Sequence, residues 1–200
     1  MYERSQENRE MLRPYVLKPH HWRKLGNHAW EQHLDFIVTP FDVRSLSEIE
    51  STWLSAVKIA HSDLHNRELL VQVSKTNHPV IISIPHYEDG EYWLPEFPGG
   101  LTLLYCHADY PANPDKVDWD GINRLRSVPG CRSVGFSDHC DNVLTGARAV
   151  EAGALVLEKH FTLDRKRAGA DHFFSMNPVQ FKEYIRRARN QYGIQRTQTR

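Results

Sequence analysis

Apolar residues recur along the chain in two alternating patterns. One is a series of short, continuous runs of buried-strand length: Phe36-Ile37-Val38, Ala56-Val57-Lys58-Ile59-Ala60, Pro79 through Ile84, Leu101 through Cys106, Ser133 through Ser137, and Ala154-Leu155-Val156-Leu157. The other is helical. Pro19 opens a segment over 19–33 in which Trp22, Leu25, Ala29, Trp30 and His33 approximate a 3.6-residue stripe. Ser45 with Glu48 reads as a capping box for the next helix. Further helices are predicted over 64–76, 119–128, 143–152 and 178–192. Gly153 supplies a stop for the helix over 143–152.

Strands that are apolar throughout, with helices between them, predict a parallel sheet covered on both faces. One connection departs from this. Residues 85–100 hold Pro85, Pro95 and Pro98 with Gly90, Gly99 and Gly100, which opposes a helix and predicts a loop. The expected organisation is an extension over 1–18, one α/β domain over 19–192 with about six βα units, and a polar tail over 193–200.

Bulk properties narrow the function. The 25 basic and 25 acidic side chains cancel, so no nucleic-acid footprint is expected. No apolar run reaches membrane-spanning length, and the charged start is no signal peptide. Cys106, Cys131 and Cys140 are odd in number and widely spaced, which predicts free thiols and a cytoplasmic setting. The chain has no glycine-rich dinucleotide fingerprint, P-loop, Cys-x-x-Cys or Gly-x-Ser-x-Gly elbow.

Chemistry concentrates at predicted strand ends, the active face of such folds. His139, in Gly135-Phe136-Ser137-Asp138-His139, and His160, in Glu158-Lys159-His160, end consecutive strands and are candidate ligands of a divalent metal. Alternation places Glu158 on the face of His160, where it could orient that ring. Lys58, inside an apolar strand, is either an anion ligand or a lysine snorkelling outward. Thr39 and Ser83 also end strands and read alone as local backbone hydrogen-bonders. Tyr110 serves either packing or sugar hydroxyls. Asp171, after the Arg167-Ala168-Gly169-Ala170 turn, is a cap or a site residue. Asp138 could equally cap the following helix. Cys106 and Cys140 read as buried thiols.

These motifs resemble the sialic acid synthase family, which includes the N-acetylneuraminate, legionaminic and pseudaminic acid synthases. The specific part is Val134 through His139 followed by Glu158-Lys159-His160-Phe161-Thr162-Leu163-Asp164-Arg165 and Asp171-His172. Weaker parts are Thr39-Pro40-Phe41-Asp42, Lys58-Ile59-Ala60, Pro79 through Ser83, and Leu103 through Pro111. The resemblance implies a TIM-type (β/α) barrel that joins phosphoenolpyruvate to an N-acylated amino sugar such as N-acetylmannosamine. It implies Mn²⁺ or Mg²⁺ on His139 and His160. It assigns Thr39, Lys58, Ser83 and Ser137 to phosphoenolpyruvate, Tyr110 and Asp171 to the sugar, and Asp63 to an acidic position near the reacting centre.

Departures from the family pattern are also expected to matter. The barrel is incomplete, with about six of eight units, and lacks the first two, which carry a glutamate and a lysine in the family. His61 stands where a phosphate-binding serine is expected. The helix after Ser83 is gone, and no antifreeze-like C-terminal domain follows. An open sheet exposes two edges, so a homodimer or a complementing N-terminal half is an expected partner. Two other readings stay open: a family remnant that binds metal or sugar without turnover, and another metal-dependent barrel enzyme such as an aldolase.

Overall fold

The computed structural model describes residues 16–49, 53–85 and 92–193. Residues 1–15 of the expected extension over 1–18, residues 194–200 of the expected tail over 193–200, and part of the proline-rich connection (86–91) lie outside the described residues. The elements are α1 (Pro19–Glu31), β1 (Ile37–Val38), α2 (Val43–Ile49), β2 (Ala56–Ile59), α3 (Arg67–Lys75), β3 (Val80–Ile84), β4 (Leu101–Cys106), α4 (Gly121–Arg124), β5 (Cys131–Asp138), α5 (Thr145–Glu151), β6 (Val156–Lys159) and α6 (Pro178–Tyr192). The strands form one sheet ordered β1-β2-β3-β4-β5-β6, so spatial order follows chain order. β1 with β2, β2 with β3, and β5 with β6 run parallel. Residues 92–100 contain no helix, as the prolines and glycines there require.

The described residues fall into two units: 16–82 with 92–101, and 83–85 with 102–193. In the first, Val57, Ile59, Leu69, Leu70, Val73, Val80 and Ile82 form the core. In the second, Leu103, Leu104, Ile122, Leu125, Val134, Phe136 and Phe174 do so.

Local chemistry explains where the elements start and stop. α6 covers the predicted 178–192. Asn177 accepts the Gln180 amide at 2.9 Å, the Gln180 side chain accepts the Asn177 amide at 3.2 Å, and Gly193 closes the helix at φ +69°. Elsewhere the boundaries need correction. Ser45 is not the cap of α2; its amide donates to Asp42 Oδ1 at 2.6 Å, so Asp42 caps. α3 starts at Arg67 rather than 64, because Asn66 Oδ1 takes the Leu69 amide and a 3₁₀ turn occupies His61–Asp63. α5 starts two residues late because Asn142 accepts the Leu144 amide at 2.8 Å and holds a turn. Gly153 ends it at φ +97°. The helix predicted over 119–128 breaks into α4 and a 3₁₀ turn, Leu125–Ser127. Pro129 fixes Val128 in an extended conformation, at ψ 127°.

The last strand is displaced from 154–157 to Val156–Lys159. The Ala154 amide still bonds the Ala149 carbonyl at 2.9 Å, so this residue completes the exit of α5. The stripe predicted on α1 is not a buried face: Leu25 is 44% and Trp30 70% exposed, and Gly26 is the buried position. Nothing among the described residues explains that exposure.

Gly135 permits close strand contact. A Cβ there would meet the Val156 carbonyl oxygen at 2.1 Å and Leu104 Cδ2 at 2.7 Å. Val156 is its register partner, so the clash is with backbone that cannot rotate away. Gly135→Ala is expected to lower stability by about 1–3 kcal/mol, the usual cost of overpacking. A thermal melt matching the unsubstituted protein contradicts this close approach.

Candidate active site

In the second unit, the rungs joining β5 to β6 pair Ser137 with Glu158 and Asp138 with Lys159. Side chains alternate along a strand, so Ser137 and Glu158 face one side and Asp138 and Lys159 the other. One residue further on, His139 and His160 return to the side of Ser137 and Glu158. Their rings lie 5.7 Å apart, centroid to centroid, in edge-to-face orientation. The backbone is held at both strand ends: the Ala112 amide donates to the His139 carbonyl and the Met176 amide to the His160 carbonyl.

The tautomer of His139 follows from its partner. Nδ1 lies 2.9 Å from the His107 carbonyl oxygen, which can only accept, so Nδ1 carries the hydrogen and Nε2 a lone pair. Ser137 Oγ sits 3.3 Å from that Nε2 and donates its one hydrogen to Glu158 Oε2 at 2.5 Å. Nitrogen and oxygen lone pairs therefore face each other with no hydrogen between them, an arrangement that a cation relieves.

Burial pushes the His139 imidazole down to about 4, opposed by the His107 carbonyl and assisted by His160. Burial also lowers His160, against the raising effect of Asp171 and Glu158. Both rings are thus neutral near neutral pH, as metal ligands must be. His160 Nδ1 lies 3.8 Å from Asp171 Oδ2. The donor set fits a divalent cation through His139 Nε2 and His160. No group of three ligating side chains occurs among the described residues.

The same shift has a stability consequence. The unfolded chain takes up a proton at His139 below its ordinary value, whereas the folded chain does so only near 4. The contribution is present above about pH 6.5 and is lost as pH falls toward 4. Urea unfolding is expected to show a loss of about 2 kcal/mol from this group between pH 7 and pH 5. The loss should be smaller in His139→Gln; an equal loss in both proteins counts against the assignment.

Tyr110 stacks on His139, with ring centroids 4.0 Å apart, and meets His160 edge-on at 6.0 Å. The ring packs while the residue stays 47% exposed. Burial, then Cys106 and the carboxylates of Glu158 and Asp171, push its hydroxyl up to about 12, so it remains a hydrogen-bond donor. Glu158, expected to orient His160, accepts the Ser137 hydroxyl, and its carboxylate acts to raise His160. Asp171 does not cap by its side chain; its carbonyl takes the Ser175 amide and hydroxyl. Asp138 does not cap α5 either. It accepts the Cys140 amide at 2.9 Å and the Thr145 hydroxyl. Cys140 is buried, and burial with Asp138 pushes its thiol up to about 12. None of Cys106, Cys131 and Cys140 is in a disulfide.

Ser83 is 2% exposed, and its hydroxyl has no hydrogen-bond partner among the described residues. Such an orphan group costs about 1–3 kcal/mol unless something binds it. In the first unit, Thr39 follows β1 and is half-buried. Lys58 is buried, at 7% exposed. Its charge helps to lower His61, where burial is the larger cause. Asp63 is buried and accepts the Ser62 hydroxyl at 3.1 Å.

Phe174 is a contributor that sequence reasoning missed. It is buried, 4.9 Å from His160 and 6.2 Å from Tyr110 by ring centroid, and walls the histidine pair. Its position beside Asp171-His172 was the available signal. The His107 carbonyl left no signal in sequence.

Six strands in chain order with paired imidazoles at consecutive strand ends define an incomplete α/β barrel of the TIM type. The sequence profile of the NeuB family matches residues 2–198, and the chain belongs to that family. It is 34% identical over 192 residues to an uncharacterized protein of Methanocaldococcus jannaschii, covering 93% of this chain and 57% of that one. It is 32% identical over 176 residues to the N,N'-diacetyllegionaminic acid synthase of Campylobacter jejuni, covering 83% and 51%. Among solved structures, the N-acetylneuraminic acid synthetase of Leptospira borgpetersenii, in complex with citrate, superposes with a TM-score of 0.85 at 24% identity, over 96% of this chain and 69% of that one. The chain spans about half the length of the curated relatives it matches.

Proposed function

We propose that this protein takes part in sialic-acid-type synthesis, joining phosphoenolpyruvate to the open-chain aldehyde of an N-acylated amino sugar. A carbon–carbon bond forms between the phosphoenolpyruvate methylene and the aldehyde carbon. Water adds at the enol-derived carbon, and phosphate leaves. The observation that carries the reading is the neutral imidazole pair, with His139 Nε2 facing an electron-rich, hydrogen-poor spot.

A divalent ion such as Mn²⁺ or Mg²⁺ on His139 and His160, when bound, supplies Lewis acidity toward the sugar aldehyde. Ser137 and Glu158 hold the hydroxyl hydrogen away from His139 Nε2. Tyr110, kept protonated by burial, donates to a sugar hydroxyl, and Asp171 accepts from one. Ser83, a buried orphan hydroxyl, and Ser137 are matched to phosphoenolpyruvate, and the family resemblance assigns Thr39 and Lys58 to the same ligand. Asp63 is the acidic group assigned near the reacting carbons. A cytoplasmic setting suits this reading, since none of the three cysteines is in a disulfide. The reading includes a partner over the β1 edge, a second copy or a complementing N-terminal half, since Ile37 on that strand is 45% exposed.

The test is phosphate release from phosphoenolpyruvate with N-acetylmannosamine and Mn²⁺. Release that needs both sugar and metal supports the synthase. Metal binding without release supports a binding module in its place.

A further inference from the structure

We infer that the buried Asp138–Lys159 ion pair is the positioning device that sets the spacing of His139 and His160; the inference rests on the reading of those histidines as a metal pair. The pair lies on the rung immediately before the histidines, on the opposite side of the sheet from Ser137 and Glu158. Lys159 Nζ is 3.1 Å from Asp138 Oδ1, and the two side chains are 2% and 0% exposed.

Each member is also tied to its surroundings. Asp138 accepts the Cys140 amide at 2.9 Å and the Thr145 hydroxyl at the start of α5. Lys159 donates to the Cys140 carbonyl and lies over the Tyr184 ring of α6, 5.6 Å from its centroid. Cys140 therefore has its amide held by one member and its carbonyl by the other. The residue between Asp138 and Cys140 is His139, and the residue after Lys159 is His160. The ion pair joins the two short segments that carry the ligands, and it does so through the backbone of one of them.

A purely stabilising role is a poor account of such a pair. Removing two charges from water offsets most of their attraction, and apolar side chains of similar volume often serve as well. Charges with fixed hydrogen-bond geometry do provide a defined distance. An apolar contact permits β6 and the segment after β5 to shift by fractions of an ångström; the saturated pair does not. Groups that orient metal ligands from behind typically change affinity about 10–100-fold when removed.

The test uses the full chain with both charges removed, Asp138→Asn with Lys159→Met, so that no lone charge stays buried. The ring nitrogens of ¹⁵N-histidine-labelled protein are followed by NMR without metal, alongside Mn²⁺ affinity. The expected result is a cooperative melt, altered His139 and His160 ring signals, and Mn²⁺ affinity lower by about 10–100-fold. A folded double variant with unchanged ring signals overturns the inference. Thr145→Val, which removes one anchor of the carboxylate and keeps both charges, decides the matter where the double variant does not fold. It should move the His139 signals by less, and unchanged signals again overturn the inference. Absence of Mn²⁺ binding in the unsubstituted protein rejects the functional reading, while the ring signals still decide the role of the pair.

Discussion

His139→Ala is expected to abolish metal-dependent phosphate release from phosphoenolpyruvate, with a rate at least ~100-fold below the unsubstituted protein. The size follows from what is removed. Lewis-acid assistance contributes several kcal/mol to a transition state, and about 1.4 kcal/mol corresponds to tenfold in rate. The substitution deletes Nε2, the one lone pair in the described site whose tautomer is fixed by geometry. It also leaves the His107 carbonyl without its ring donor, at a stability cost of about 1–3 kcal/mol. Activity and stability must therefore be measured together, by phosphate release and by a melt. The assignment fails if release persists in a variant that no longer binds Mn²⁺, or if affinity for Mn²⁺ is unchanged. His160→Ala should behave similarly and keep the Tyr110–His139 stack intact.

Lys159→Met by itself is expected to produce the largest loss of stability, about 3–5 kcal/mol, because it leaves the Asp138 carboxylate buried without its cation. Asp138 is completely buried, so water cannot take the place of the ammonium without local opening. For a chain of this length the loss corresponds to a midpoint lower by about 10 °C. Adding Asp138→Asn should recover much of it, since the remaining carboxamide can still accept from Cys140 and Thr145. Urea unfolding of the two single variants and the double variant gives the coupling directly. Additive losses, with no recovery in the double variant, contradict a coupled pair.

Much of the architecture could be read from local pattern, and the errors have local causes. α6 was legible because Asn177, Pro178, Gln180 and Gly193 set both ends within the helix's own sequence. The start of α2 was misread because Ser45 and Asp42 both satisfy cap chemistry, and it is the Asp42 carboxylate that takes the Ser45 amide. β6 was placed two residues early because Ala154 is apolar yet still belongs to the exit of α5. At the site, His139 and His160 were legible because strand alternation and a turn of helix between strands put them together. The contacts that define their chemistry were not. The His107 carbonyl reaches His139 across 32 residues of sequence, and Ser137 reaches Glu158 across 21. Lys159 shows a different gap. Like Lys58, Lys159 is a lysine inside a strand that needs an anion, and its anion is Asp138.

The opposite-facing rungs of β5 and β6 have a consequence for how this site can vary. Side chains on a strand reverse face with every residue, so moving β6 by one position against β5 exchanges its two sets wholesale. Glu158 and His160 would turn toward α5 and α6, and Lys159 would enter the space beside His139. No intermediate register keeps either the ion pair or the imidazole pair. Substitutions at single positions can therefore weaken the centre by degrees. A single-residue insertion or deletion between Gly153 and Lys159 cannot, unless the exit turn of α5 absorbs it before the strand begins.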